Sequence, residues 1–190
     1  MQKVVTHQEN ILQKNMIFVG MQGVGKTFFG KKLALSFGLP FFDVDEELLK
    51  NEGVHSIPEL YKTLGKEHFR QKEAEVAIQL VEATSSLIAF GGGTLMDKKV
   101  QAKLVKKREA KESVVIYLST SKEKVWQGFE TRRMPQYIEN KEAFFLLFQE
   151  RHHIFQSFAD QTVDVGESTY DELCQYLFQQ LGKKVVFHGK

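Results

Sequence analysis

Eight residues, Gly20-Met21-Gln22-Gly23-Val24-Gly25-Lys26-Thr27, constrain this chain more than any other segment. The apolar run 16–20 ahead of them reads as a strand, and the stretch 26–37 behind them reads as a helix. A glycine-rich turn between strand and helix, ending in Lys-Thr, has a definite physical use. Its backbone N–H groups wrap phosphate oxygens, and the positive end of the helix faces them. Lys26 then reaches the β- and γ-phosphates, and the Thr27 hydroxyl is offered to Mg²⁺. Gly23, Val24, Gly25, Lys26, Thr27 and Phe28 are therefore the candidate contacts for a nucleoside triphosphate.

The rest of the chain repeats the same alternation. Short apolar runs at 39–43, 86–90, 113–118 and 162–165 read as further strands, separated by stretches with helical spacing. Ser56-Ile57-Pro58-Glu59 is a capping box with Pro in the first turn, so a helix begins there, and Gly65 interrupts it before a longer run to about 83. Ser121, and Thr169 with Glu172, mark two further helix starts. Five strands alternating with helices predict an α/β fold, a five-stranded parallel sheet with helices on both faces. One domain over 15–182 is expected, with tails at 1–14 and 183–190.

Composition removes several function classes. Lys plus Arg number 26 against 24 Asp plus Glu, a formal +2, so there is no broad field to recruit nucleic acid or an anionic membrane. No apolar stretch approaches a membrane span, and segment 1–14 lacks the apolar core of a secretory signal. The single cysteine, Cys174, sits in a helical pattern as a packed thiol and suits a reducing cytoplasm. His152 and His153 are adjacent and diverge on a helix, so a histidine metal centre is not expected.

The nucleotide class is narrowed by what surrounds the loop. Asn140-Lys141 is followed by Glu142-Ala143, which is no guanine reader, and the strand ending at Gly91-Gly92-Gly93 carries no acid at its tip. The acids end the second strand instead, as Asp43 and Asp45. Two carboxylates there suit holding hydrated Mg²⁺ and accepting a hydroxyl proton, although either also suits capping the next helix. Arg70 and Glu73 share one helix face, as a surface ion pair or as an oriented guanidinium. Three successive glycines at 91–93 mean that something approaches the backbone closely.

This constellation resembles the shikimate kinase family over about residues 15–180. The pieces, in order, are the loop at 20–27, Asp43-Val44-Asp45, Phe69-Arg70 with Glu73, Gly91-Gly92-Gly93, a lid with Arg132-Arg133, and Arg151. The resemblance implies a P-loop kinase fold and transfer of phosphate from ATP to shikimate. By similarity, Asp43 and Thr27 would serve Mg²⁺, and Asp45 would hold the reacting hydroxyl and act as base. Arg70 and Arg151 would clamp the substrate carboxylate beside Gly92, with Glu73 fixing Arg70 and Phe69 packing on the substrate ring. Lys26 and a lid arginine, Arg133 in preference to Arg132, would meet the phosphates. The lid is expected over about 126–140 and the substrate-binding helices over about 45–83. Trp126 falls where the family often has an arginine against adenine, so it either stacks on the base or packs in the core. The resemblance also implies a cytoplasmic monomer with ATP and shikimate as partners, and the main rivals are a related metabolite kinase, such as gluconate kinase, or a non-catalytic nucleotide-binding regulator.

Overall fold

The computed structural model describes residues 14–131, 135, 138–166 and 171–172. Five strands, β1 (Asn15–Val19), β2 (Phe41–Asp43), β3 (Leu87–Ala89), β4 (Ser113–Ser119) and β5 (Gln161–Asp164), form one sheet in the order β2-β3-β1-β4-β5. Every pairing is parallel. β1 is central and each of its residues is buried. Successive side chains of a strand point to opposite faces, so full burial of β1 requires cover on both sides of the sheet. Helices α1 (Lys26–Phe37), α3 (Ile57–Val81), α4 (Lys98–Glu109) and α6 (Lys141–Phe158) supply buried side chains to that cover. Two shorter helices, α2 (Val44–Glu52) and α5 (Lys122–Thr131), complete the alternation among the described residues.

Local signals in the sequence act as expected. Ser56 accepts from the Glu59 amide at the start of α3, and Ser121 accepts from the Lys124 amide at the start of α5. Gly65 takes φ 72° and ψ 170°, a combination closed to side chains with a Cβ, and so divides α3 into two helical runs. One boundary shifts: β2 begins at Phe41 rather than at 39. Helix α5 continues to Thr131, so residues 126–131 are helical. The apolar positions Val125 and Phe129 are both buried and keep that helix docked past 126. Thr169 and Cys174 lie outside the described residues.

The sheet's carboxyl edge is where the order reverses: β1 is followed in sequence by strands on one side and then by β4 on the other. Ligands of open α/β sheets bind at that crevice. Register places Asp43 opposite Ala89, so β2 and β3 deliver Asp43 and the triple glycine to the same edge as the loop after β1.

Candidate active site

The loop 20–27 closes onto α1 through Gly25, the helix N-cap, whose φ of 96° belongs to the left-handed region. Lys26 is buried, and its Nζ donates to the carbonyls of Gly20 at 3.0 Å and Met21 at 2.9 Å. Burial lowers the pKa of its ammonium to about 8 against the opposing pull of Asp45 and Asp43. The Thr27 hydroxyl donates to Asp43 Oδ2 at 2.5 Å. The other Asp43 oxygen accepts from the Asp45 amide at 2.9 Å and the Glu46 amide at 3.4 Å, capping α2. Asp43 therefore caps α2 with one oxygen and meets Thr27 with the other, while Asp45 lines the cavity.

That cavity, of about 380 Å³, is lined by Gly23, Gly25, Lys26, Thr27, Phe28, Asp43, Asp45, Phe69, Arg70, Glu73 and all three glycines of 91–93. Val24 lies buried beneath the loop. Burial, then the charges of Glu73 and Asp43, push the Asp45 carboxyl up to about 7, with Lys26 and Arg70 opposing. Glu73 is 2% exposed and accepts from Arg70 Nη1 at 2.5 Å on one oxygen and from Thr94 Oγ1 at 2.8 Å on the other. Phe69 is buried, edge-on to Tyr61, with the Arg70 guanidinium 5.2 Å from its ring centre. The pairing of Arg70 and Glu73 is thus no surface ion pair: one partner is fully enclosed.

The triple glycine has a steric cause. None of residues 91–93 has a left-handed φ. A Cβ on Gly91 would lie 2.5 Å from Glu73 Oε1 and 2.8 Å from Asp45 Oδ1. On Gly93 it would lie 2.5 Å from Arg70 Nη1, and on Gly92 3.2 Å from the Gln22 amide nitrogen and 3.5 Å from Arg151 Nη1. The side chains of Glu73, Asp45 and Arg70 occupy the space that side chains at 91 and 93 would fill, and the Gln22 backbone crowds position 92. Arg151, 4% exposed on α6, borders a second cavity of about 440 Å³ that shares Arg70, Glu73 and Gly93 with the first. The expected site residues line one or other of these adjoining cavities, except Val24, which is buried and lines neither, and Arg132 and Arg133, which lie outside the described residues.

With this geometry in hand, the comparison with known proteins is decisive. A family model described as shikimate kinase matches residues 22–182. The chain belongs to the shikimate kinase family. A shikimate kinase of Nitrosospira multiformis is 32% identical over 170 residues, covering 88% of this chain and 84% of that one. The structure of a shikimate kinase from Acinetobacter baumannii in complex with shikimate superposes with a TM-score of 0.79 at 25% identity, over 92% of this chain and 96% of that one. A gluconokinase from Sinorhizobium meliloti, at 13% identity and a TM-score of 0.56 over 90% of this chain and 92% of that one, shares the fold alone.

Sequence reasoning missed Thr94, which reads only as a turn residue, and Tyr61, which lines both cavities. It also left Trp126 open. The indole packs on Phe144 of α6 at 5.5 Å between ring centres, and its N–H donates to Glu130 at 2.6 Å. Those are packing contacts, and the partly buried ring gives a definite expectation. Saturating ADP should leave its emission nearly unchanged, and Trp126→Phe should act on the melting temperature rather than on the ATP KM; strong ADP quenching in a fluorescence titration is the contrary result.

Proposed function

We propose that this shikimate kinase family member transfers the γ-phosphate of ATP to the 3-hydroxyl of shikimate, giving ADP and shikimate 3-phosphate. One observation carries the reading: the phosphate loop, a carboxyl whose pKa lies near neutrality, and an arginine locked by a buried glutamate all open into a single cavity. Shikimate needs a planar cation for its carboxylate at one end and a proton acceptor for a hydroxyl at the other. We assign Arg70 and Arg151 to the carboxylate, with the Gly92 backbone nearby, and Phe69 to the ring. Asp45 accepts the hydroxyl proton as that oxygen bonds to the γ-phosphorus and the bond to the ADP oxygen breaks. Lys26 and Arg133 neutralise charge on the phosphates, since such transfers depend mainly on positioning and electrostatics.

Mg²⁺ is the metal this reading implies. Thr27 Oγ1 and Asp43 Oδ2 are neighbouring oxygen donors beside the loop, and among the described residues no group of three or more His, Cys, Asp or Glu could hold a metal. A cation that keeps its waters and leans on one or two protein oxygens and on phosphates suits so sparse a donor set. Thr27 and Asp43 would hold it, and it would supply charge neutralisation on the phosphates.

We assign one domain to residues 15–182, with α2 and α3 as the substrate-binding side and the lid over about 126–140. Cytoplasmic action as a monomer completes the proposal; a single cysteine is in keeping with a reducing compartment. No helix among the described residues is long and apolar enough to cross a membrane. The test is ADP release that depends on shikimate, with gluconate and nucleoside monophosphates inert. Turnover of gluconate in place of shikimate, or ATP binding without turnover of any acceptor, would replace this reading.

The pH dependence is fixed by two groups. Asp45 must be ionised to take a proton, so kcat/KM for shikimate rises with pH through about 7. Lys26 must keep its proton to face phosphate, so kcat/KM for ATP falls as pH passes about 8. Initial rates with each substrate varied in turn read the two limbs separately, a rise for shikimate and a fall for ATP.

A further inference from the structure

We propose that Thr94 is a positioning residue for the substrate carboxylate: its hydroxyl fixes the plane of Glu73, and Glu73 in turn fixes the Arg70 guanidinium. The inference rests on the shikimate reading. The terminal torsion of a glutamate is broad and two-fold, so one hydrogen bond leaves the carboxylate plane free to turn. Here each oxygen has its own donor, Arg70 Nη1 on Oε2 at 2.5 Å and Thr94 Oγ1 on Oε1 at 2.8 Å. Thr94 is itself enclosed: it is 1% exposed, its amide donates to the Gly91 carbonyl at 3.2 Å, and it opens a single 3-10 turn, Thr94–Met96. Arg70 is the long, more exposed member, with a side chain 29% exposed, held between Gly93 and the Phe69 ring. Ordering such a long side chain is costly, and the enclosed turn at 94 supplies that order through Glu73.

Thr94→Val keeps the shape and deletes the donor. The shikimate KM should rise roughly tenfold, as for a lost hydrogen bond to a charged group, with kcat and the ATP KM within about twofold. Thr94→Ser should restore wild-type behaviour, and Thr94→Ala, which also lacks the donor, should match Thr94→Val. An unchanged KM in the Val and Ala variants overturns the inference. So does a joint loss of kcat and both KM values that Ser fails to rescue, or failure of both donor-free variants to fold, since each marks Thr94 as scaffold only. If the wild-type protein ignores shikimate, the functional reading fails instead, and a second readout still decides Thr94. The Arg70 Nε–H signal in ligand-free protein should exchange with water faster in Thr94→Val, whereas equal exchange overturns the inference.

Discussion

Asp45→Asn is expected to lower turnover by about 10²–10⁴ at saturating substrates while ATP binding persists. Asn matches Asp in size but cannot accept the hydroxyl proton. The loose transition state of phosphoryl transfer reduces the demand on a base, which favours the lower part of that range. The same substitution should make the protein harder to melt. Asp45 titrates at about 7 in the folded protein against an ordinary 3.8, so the folded state holds an extra proton between those values. The associated stability is fully present below the ordinary value and is lost as pH rises through about 7. At pH 8 the native protein carries that whole cost, and Asn, which cannot ionise, removes it. Calorimetric melting at pH 8 should show a higher Tm for the variant, with the gap closing as pH falls toward 4. Wild-type turnover in Asp45→Asn would remove the base from the mechanism.

Truncating the clamp is the second large effect. A hydrogen bond to a charged group contributes roughly 1.5–3 kcal/mol, so Arg70→Ala or Arg151→Ala should weaken shikimate binding about tenfold to a hundredfold. Neither should alter ATP affinity measured without shikimate. Lysine at either position should recover little, because an ammonium is a point charge and cannot match a carboxylate with a planar fork. Arg151→Ala also empties a buried position on α6, whereas Arg70 is partly exposed, so the melting temperature should fall more for Arg151. Isothermal titration of both variants is the measurement. Unchanged shikimate affinity in both would place the carboxylate elsewhere.

The sequence was most informative where a residue type has one physical use. Gly25 and Lys26 announced the phosphate loop, Ser56 announced α3, and the alternation of apolar runs predicted a parallel five-stranded sheet that the structure contains. It was less informative where a residue serves two purposes. Asp43 suits a helix cap as well as a site acid, and spacing alone does not reveal that one oxygen caps α2 while the other meets Thr27. Glu73 at i,i+3 from Arg70 reads as a surface pair because burial is not visible in spacing. Thr94 gave no signal at all: its partner lies 21 residues away, and nothing local distinguishes a hydroxyl that closes such a contact from one that faces water. Trp126 was ambiguous for a similar reason, since Phe144 meets it only through the packing of α5 against α6.

Tolerance to substitution across 91–93 should be governed by neighbours, not by backbone conformation. With ordinary φ at all three positions, a scan of every amino acid would find no torsional reason for a gap there. Gly91 and Gly93 face side-chain ends rather than backbone, so alanine at either displaces Glu73, Asp45 or Arg70 and disturbs the hydrogen bonds of Glu73, leaving a folded protein that handles its substrate poorly. Gly92 instead faces the amide nitrogen of Gln22, main chain of the phosphate loop, which has no rotamer to change. An added methyl there wedges β3's outgoing turn away from the loop after β1. Library selection should therefore separate the three: variants at 91 and 93 depleted in function but retained in soluble expression, and variants at 92 penalised in nucleotide binding as well.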